Sequence, residues 1–220
     1  MKKLFGCLLC VMLLVVGFTP SAWTLSFDLQ GVTYPSQISA SVDFDYNPST
    51  GIIDIDITNT SSITSSLTAF AFNVPAGVTG VSSFSGPTGW SEDFDENGIN
   101  TPGQYGFFDL AGITGPNFNG GKVANGIPAT NPDPTFSFEF SLSGSGLGGL
   151  TTDSFLSLLS APGPDQSDPQ YFIARFQGIG SSGGSDVAIP GNPVPEPATL
   201  LLLGAGLVGL AGFGRKKFKK

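Results

Sequence analysis

Hydrophobic and polar residues alternate with a period of two through most of the middle of the chain. Residues 38–46 (ISASVDFDY) place apolar side chains at every second position and serine or aspartate between them. The same alternation recurs in residues 52–58 (IIDIDIT), 69–74 (AFAFNV), 135–142 (TFSFEFSL) and 171–177 (YFIARFQ). Strands with one apolar and one solvated face are typical of antiparallel sheets. We therefore predict an all-β domain, an antiparallel two-sheet sandwich around a phenylalanine-rich core.

One segment departs from this alternation. In residues 150–160 (LTTDSFLSLLS), Phe155, Leu158 and Leu159 follow helical spacing behind threonine and aspartate residues that are suited to cap a helix. This pattern predicts one short helix that packs over a sheet edge.

Both ends of the chain differ from the middle. Lys2 and Lys3 precede an apolar run and then small residues, which predicts a signal peptide with a signal helix over residues 1–24, cleaved between Ser21 and Leu25. Residues 198–214 carry no charge and predict a single C-terminal transmembrane helix. The sandwich is then expected over 25–180 and a Gly/Ser/Pro linker over 181–197. The basic tail 215–220 would stay in the cytoplasm and stop the membrane anchor through Arg215, Lys216, Lys217, Lys219 and Lys220.

Composition excludes several kinds of chemistry. The chain has no histidine, and its only cysteines, Cys7 and Cys10, lie in the predicted signal peptide. Catalytic triads and His- or Cys-based zinc sites are therefore excluded from the mature protein. Sixteen carboxylates but only two cations, Lys122 and Arg175, lie between Leu25 and Pro193, which gives a net charge of −14. Such a surface repels phosphate backbones, so we expect no nucleic-acid partner.

The C-terminal residues resemble a known sorting signal. Val194, Pro195, Glu196 and Pro197 come before a Gly-rich apolar segment and a basic tail. This ordered combination resembles the PEP-CTERM sorting signal of Gram-negative bacteria over about the last 27 residues. The resemblance implies an exosortase-type membrane protease that processes the chain near Pro-Glu-Pro, in bacteria that make extracellular polysaccharide. It also implies an inner-membrane-anchored precursor, exported through the secretion machinery and signal peptidase, that ends at the cell surface or outside the cell.

One short acidic stretch has the spacing of a calcium loop. In residues 92–100 (EDFDENGIN), Asp93, Asp95 and Asn97 alternate and are followed by Gly98, so that their oxygens could converge on a hard cation. The pattern then departs from such loops, because Gln104 stands where a bidentate glutamate is expected. The alternative is an acidic surface loop with a glycine turn. We therefore expect no cofactor, with calcium as the one alternative.

Two further residues are ligand candidates. Trp90, beside the acidic stretch, would be a platform for a sugar if exposed and a core residue if buried. Arg175 would bind either a carboxylate within the protein or an acidic sugar.

Paired carboxylates offer a third kind of site. Asp43 with Asp45, and Asp54 with Asp56, each point the same way from one strand. General acid–base catalysis on a sugar requires two carboxyls that face each other across a cleft. Alternate carboxylates on one strand usually form its solvated face instead. Glu139 is the carboxylate we expect to be most screened, although alternation turns it away from the phenylalanine face.

Three functions remain open on the sequence alone. The leading hypothesis is a non-catalytic cell-surface or extracellular-matrix protein that is associated with exopolysaccharide or biofilm. The second is a calcium-assisted β-sandwich module that binds carbohydrate or protein through the loop from Trp90 to Asn100. The third is a glycosidase or lyase that uses carboxylates alone.

Overall fold

Eleven strands and one short helix make up the described part of the chain. A computed structural model describes residues 24–130, 134–163 and 167–191. The strands are β1 (Leu25–Gly31), β2 (Ser39–Asn47), β3 (Ile52–Asn59), β4 (Ser66–Phe72), β5 (Val78–Ser85), β6 (Ser91–Asn100), β7 (Phe107–Ile113), β8 (Ile127–Pro128), β9 (Thr135–Gly144), β10 (Phe172–Ile179) and β11 (Gly184–Pro190). The helix is α1 (Thr152–Leu156), and short 3-10 turns lie at Gly103–Tyr105, Val123–Asn125, Leu147–Gly149 and Gly180–Ser182.

The strands form one hydrogen-bonded sheet rather than the two separate sheets predicted. The order is β5-β9-β3-β2-β1-β11-β10-β4-β7-β6, with β8 attached to β4, and every pair is antiparallel. The first and last strands join the two halves, because Leu29, Gln30 and Gly31 pair with β11. The two-sheet sandwich is thus corrected: alternation shows which face of a strand is buried, but it does not show which strands pair.

The two halves of this sheet nevertheless face each other across an aromatic core. Phe44 of β2 contacts Phe72 of β4, with ring centroids 5.3 Å apart, and Phe70 of β4 lies 4.8 Å from Phe138 of β9. All four rings are buried. The apolar positions predicted from the alternation therefore form the interior, as expected for strands with one buried face.

The outer faces of the two halves differ. On the half that contains β4, β7, β10 and β11, loop residues Tyr105 and Phe118 cover a second, smaller apolar cluster that includes Ala71 and Ile173. On the half that contains β1, β2, β3 and β9, the outer positions are almost all polar and are exposed or partly exposed. One outer face is thus covered by the protein itself, and the other is open to solvent.

A single helical turn lies where the short helix is predicted. The helix α1 begins after Thr151, whose side chain forms a capping box with Ser154. Phe155 is buried against Tyr46, with ring centroids 4.9 Å apart. Leu159 lies beyond the end of the helix and is largely exposed, so the helical spacing extended further than the helix.

The domain ends later than the sequence suggested. Residues 181–197 were expected to form a linker, but β11 (Gly184–Pro190) belongs to the sheet. The Gly and Ser residues before it form a tight turn, since Gly180 and Gly183 adopt positive φ angles of 59° and 71°, which glycine tolerates without strain. Gly/Ser composition therefore indicated a hairpin turn here, and not a flexible segment.

Both terminal predictions lie outside the described residues. These are the signal helix over 1–24, of which only residue 24 is described, the transmembrane helix over 198–214 and the basic tail 215–220. Within the described ranges, no helix is long and apolar enough to span a membrane.

Candidate functional site

Carboxylates lie side by side on the open outer face of the sheet. Asp54 of β3 lies directly opposite Asp45 of β2 and, on its other side, opposite Glu139 of β9. Asp43 in turn lies opposite Asp56. We call this surface the acidic face, which consists of Asp28, Asp43, Asp45, Asp54, Asp56 and Glu139.

Among the described residues, no positive charge lies on the strands of the acidic face. The two cations within the described part of the chain, Lys122 and Arg175, lie outside its four strands. The partial desolvation of Asp54 within the sheet raises its pKa above the ordinary value, and the neighbouring carboxylates, Glu139 first, raise it further. Like charges directly opposite each other destabilise a sheet, so this face opposes folding.

The acidic face differs from the site that a carboxylate-only enzyme requires. Its carboxylates project from a regular sheet surface, and Glu139 and Asp54 are both exposed. A general acid requires a carboxyl in an apolar pocket, where its pKa rises far enough to hold a proton near neutral pH. The alternation of the strands thus turns these residues to solvent, and Glu139 points away from the phenylalanine core as expected.

The residues of the predicted calcium loop lie on an edge strand. Among the described strands, β6 pairs with β7 alone. Its register shifts between Phe94 and Ile99, so that the residues between them bulge from the ladder. Asn97 in this bulge has a φ of 52°, a left-handed conformation that asparagine tolerates better than most residues. The carboxylate of Asp95 folds over Gly98, where a side-chain Cβ would come within 2.0 Å of it.

A buried carboxylate, that of Asp109, holds this bulge in place through hydrogen bonds. Asp109 of β7 is 6% exposed. Its Oδ1 accepts a hydrogen bond from the backbone N–H of Asn97 at 2.7 Å, and its Oδ2 accepts one from the N–H of Val74 at 3.0 Å. Asp109 therefore holds the bulge against the segment that follows β4.

The three predicted calcium ligands share this bulged strand. Burial raises the pKa of Asp93, and the charge of Asp95 raises it further, so these two carboxylates repel each other. Within the described ranges, no group of three or more His, Cys, Asp or Glu side chains is placed to hold a metal ion. A site made from Asp93, Asp95 and the amide of Asn97 stays a prediction.

Trp90 belongs to the core. It is 8% exposed, its indole Nε1 donates to the carbonyl oxygen of Asn125 at 2.8 Å, and its ring lies 4.8 Å from that of Phe138. A sugar platform requires an exposed ring, so the structure favours the core alternative for Trp90.

Arg175 lies half-buried on the outer side of β10. Its Nη2 donates to Ser185 Oγ at 2.9 Å, while its buried Nε has no hydrogen-bond partner. Burial lowers the pKa of Arg175, and the charge of Asp186 partly offsets this shift. An internal role beside Asp186 and a role in binding an acidic sugar both stay open.

Two buried carboxylates escaped the sequence analysis. Asp109 interrupts an otherwise apolar strand, and this break in the pattern could have indicated a buried carboxylate. Asp186 gave no such indication, because it lay in the predicted linker. Asp186 is 3% exposed and accepts hydrogen bonds from the backbone N–H groups of Thr33, Tyr34 and Val187. Its role is structural, because it joins β11 to the turn after β1.

Comparison with known proteins identifies the C-terminal segment. A family model described as the PEP-CTERM protein-sorting motif matches residues 193–216. The chain therefore carries a PEP-CTERM sorting motif, and the resemblance drawn from Val194, Pro195, Glu196 and Pro197 is confirmed. Such a motif indicates an exported protein that an exosortase, a membrane protease, processes. No curated protein and no solved structure matches the chain.

Proposed function

We propose that this chain is a non-catalytic cell-surface or extracellular-matrix protein that an exosortase sorts and that acts among extracellular polysaccharides. Its precursor is anchored in the inner membrane by residues 198–214, and the β domain lies on the outer side. The mature protein is then released or retained at the surface.

The observation that carries the proposal is the position of the sorting motif relative to the domain. The motif begins at residue 193, and the last strand ends at Pro190. A folded β domain thus stands directly before the signal, as expected of cargo that folds outside the membrane. The sequence has no histidine, and its two cysteines lie in the predicted signal peptide, which is compatible with this passive role.

The state of the carboxylates supports a role without catalysis. Asp109 and Asp186 are buried, but backbone N–H groups occupy their oxygens. These hydrogen bonds give both carboxylates a role in holding the fold together. The remaining candidates lie on the acidic face or on β6, in contact with solvent.

Processing is tested by intact-mass analysis of the protein from a host that has the exosortase. We expect the mature protein to lack the region from Leu200 to Lys220. Replacing Pro195, Glu196 and Pro197 by alanine should leave the tail attached while export continues. The control Asn192→Ala, just outside the matched residues, should be processed normally. A full-length tail on mature surface protein would contradict the proposal.

The association with polysaccharide needs a separate test. A glycan-binding screen with the purified protein, with and without calcium, measures binding directly, and a polysaccharide panel measures turnover. We expect retention on one or more extracellular polysaccharides and no cleavage of any. Degradation that Glu139→Gln or Asp95→Asn abolishes would show that the protein is an enzyme.

A further inference from the structure

The first and last strands of the domain are neighbours and run in opposite directions. Leu29 pairs with Pro190, and Gly31 pairs with Ala188. The final backbone hydrogen bond runs from the N–H of Gly191 to the carbonyl oxygen of Asp28, at 3.0 Å. The strand β11 therefore ends beside the first residues of β1. Both ends of the domain, which lead to the signal peptide and to the sorting motif, lie at the same side of the molecule.

This junction is closely packed. Asp186 of β11 accepts hydrogen bonds from Thr33 and Tyr34, which follow β1. Gly31 leaves no room for a side chain, since a Cβ there would lie 2.5 Å from Asp186 Oδ2 and 2.8 Å from Ile38 Cβ. The pairing of β1 with β11 therefore holds the chain to the domain as far as Gly191.

Little chain remains between this fixed point and the sorting motif. Glu196 follows Gly191 by five residues, and a fully extended chain spans at most about 3.6 Å per residue, so the two lie within about 18 Å. A domain of this length has a radius of gyration of about 15 Å. An enzyme that holds Glu196 must therefore have the folded domain against it.

The surface around the junction is suited to such contact. Leu25 pairs with Phe44, which places the turn after β2 at this side, and Tyr46 Oη donates to the carbonyl oxygen of Leu147 at 2.8 Å. We call this region the exit surface, which consists of residues 47–51, 75–77 and 145–151. None of these residues is charged, in contrast to the acidic face, and the nearest exposed carboxylate along the chain is Asp153 in α1.

We propose that the exit surface docks against the membrane-embedded protease, and that the short tether after Gly191 determines whether the protease reaches Pro-Glu-Pro. This inference rests on the proposed function, because it concerns the same processing step. The protease then acts on a folded domain whose β1–β11 junction limits the reach of the motif.

The test changes the tether without touching the matched residues 193–216. Deletion of Gly191 and Asn192 shortens the reach by about 7 Å. Because the folded domain would then meet the protease before Glu196 reaches its site, we expect processing, measured as the fraction of chains that lose the tail, to be largely lost. Insertion of six residues, three Gly-Ser pairs, before Pro193 in the deletion variant should restore processing.

Two further variants separate reach from other effects. The same insertion between Ser181 and Ser182, in the turn at the opposite side, should not restore processing. Gly31→Ala, which loosens the β1–β11 junction, should restore it in the deletion variant, because β11 can then release chain. Limited proteolysis of each full-length precursor shows whether the domain is folded.

A variant of the exit surface tests the docking itself. Thr50 is exposed in the turn after β2, and Thr50→Glu should slow processing, whereas the matched change Ser182→Glu on the opposite side should not. Equal processing of the parent and the deletion variant would overturn the inference, and so would rescue by the insertion at Ser181. If the parent itself keeps its tail, the proposed function fails, which is a distinguishable result.

Discussion

Removing one charge from the centre of the acidic face should stabilise the protein. Asp54 lies directly opposite Asp45 on one side and Glu139 on the other. Asn has nearly the same shape as Asp but no charge. Asp54→Asn therefore removes two cross-strand repulsions while the side chain keeps its volume.

The expected gain follows from the register. Cross-strand pairs of this kind change stability by about 0.2–1 kcal/mol each, so two pairs correspond to about 0.4–2 kcal/mol. Asp54 is exposed, and solvent screens exposed charges strongly, which favours a gain of about 0.5–1 kcal/mol. For a domain of this size, that gain raises the melting midpoint by about 1–4 °C.

The assay is thermal unfolding of the purified protein at low and high salt. At 1 M salt the screening length falls to about 3 Å, so the gain should largely disappear. Glu139→Gln should produce a smaller gain in the Asp54→Asn background than in the parent, because the two carboxylates repel each other.

The matched control uses the same face and the same substitution. Asp28 of β1 lies opposite Ser41 and not opposite a carboxylate, so Asp28→Asn should change the midpoint much less. The reasoning is refuted if both variants gain equally, if Asp54→Asn gains nothing, or if its gain is the same at 1 M salt.

Three further outcomes are expected. The raised pKa of Asp54 means that the folded state binds its proton more tightly than the unfolded state. The stability that this tighter proton binding adds is therefore complete below the unfolded pKa of about 3.9 and is lost as the pH rises through the raised folded pKa. The gain from Asp54→Asn should accordingly be close to zero at about pH 3 and grow above about pH 4. Denaturant unfolding at a series of pH values measures this gain. If Asp93, Asp95 and Asn97 bind calcium, calcium at about 100 times its Kd should stabilise the protein by about 2.7 kcal/mol. Asp95→Ala should remove that stabilisation. Coincident melting curves in chelator and in millimolar calcium would exclude a structural site. Trp90→Phe leaves the carbonyl of Asn125 without its donor and should cost about 1–3 kcal/mol in the free energy of unfolding, whereas an unchanged midpoint would contradict a core role for Trp90.

The sequence by itself determined the class of fold, the buried faces and the sorting motif. Alternation in segments such as residues 38–46 and 135–142 assigned the faces correctly, because successive side chains of a strand point to opposite sides. The tail was recognisable because its parts are contiguous, so no folding is needed to bring Pro195, Glu196 and Pro197 together. Local patterns of this kind depend on neighbours in the chain alone.

The tertiary structure alone decided which strands pair and therefore which distant residues meet. The junction of β1 with β11, the register that places Asp54 between Asp45 and Glu139, and the burial of Trp90 all join parts of the chain that lie far apart in the sequence. Register is set by packing of whole faces and by turn geometry, to which every strand contributes. The segment predicted as a linker is a second example of structure that depends on distant residues. The sequence around Asp186 has the composition of a flexible linker, but this segment forms the strand β11 because it pairs with β1 on one side and β10 on the other.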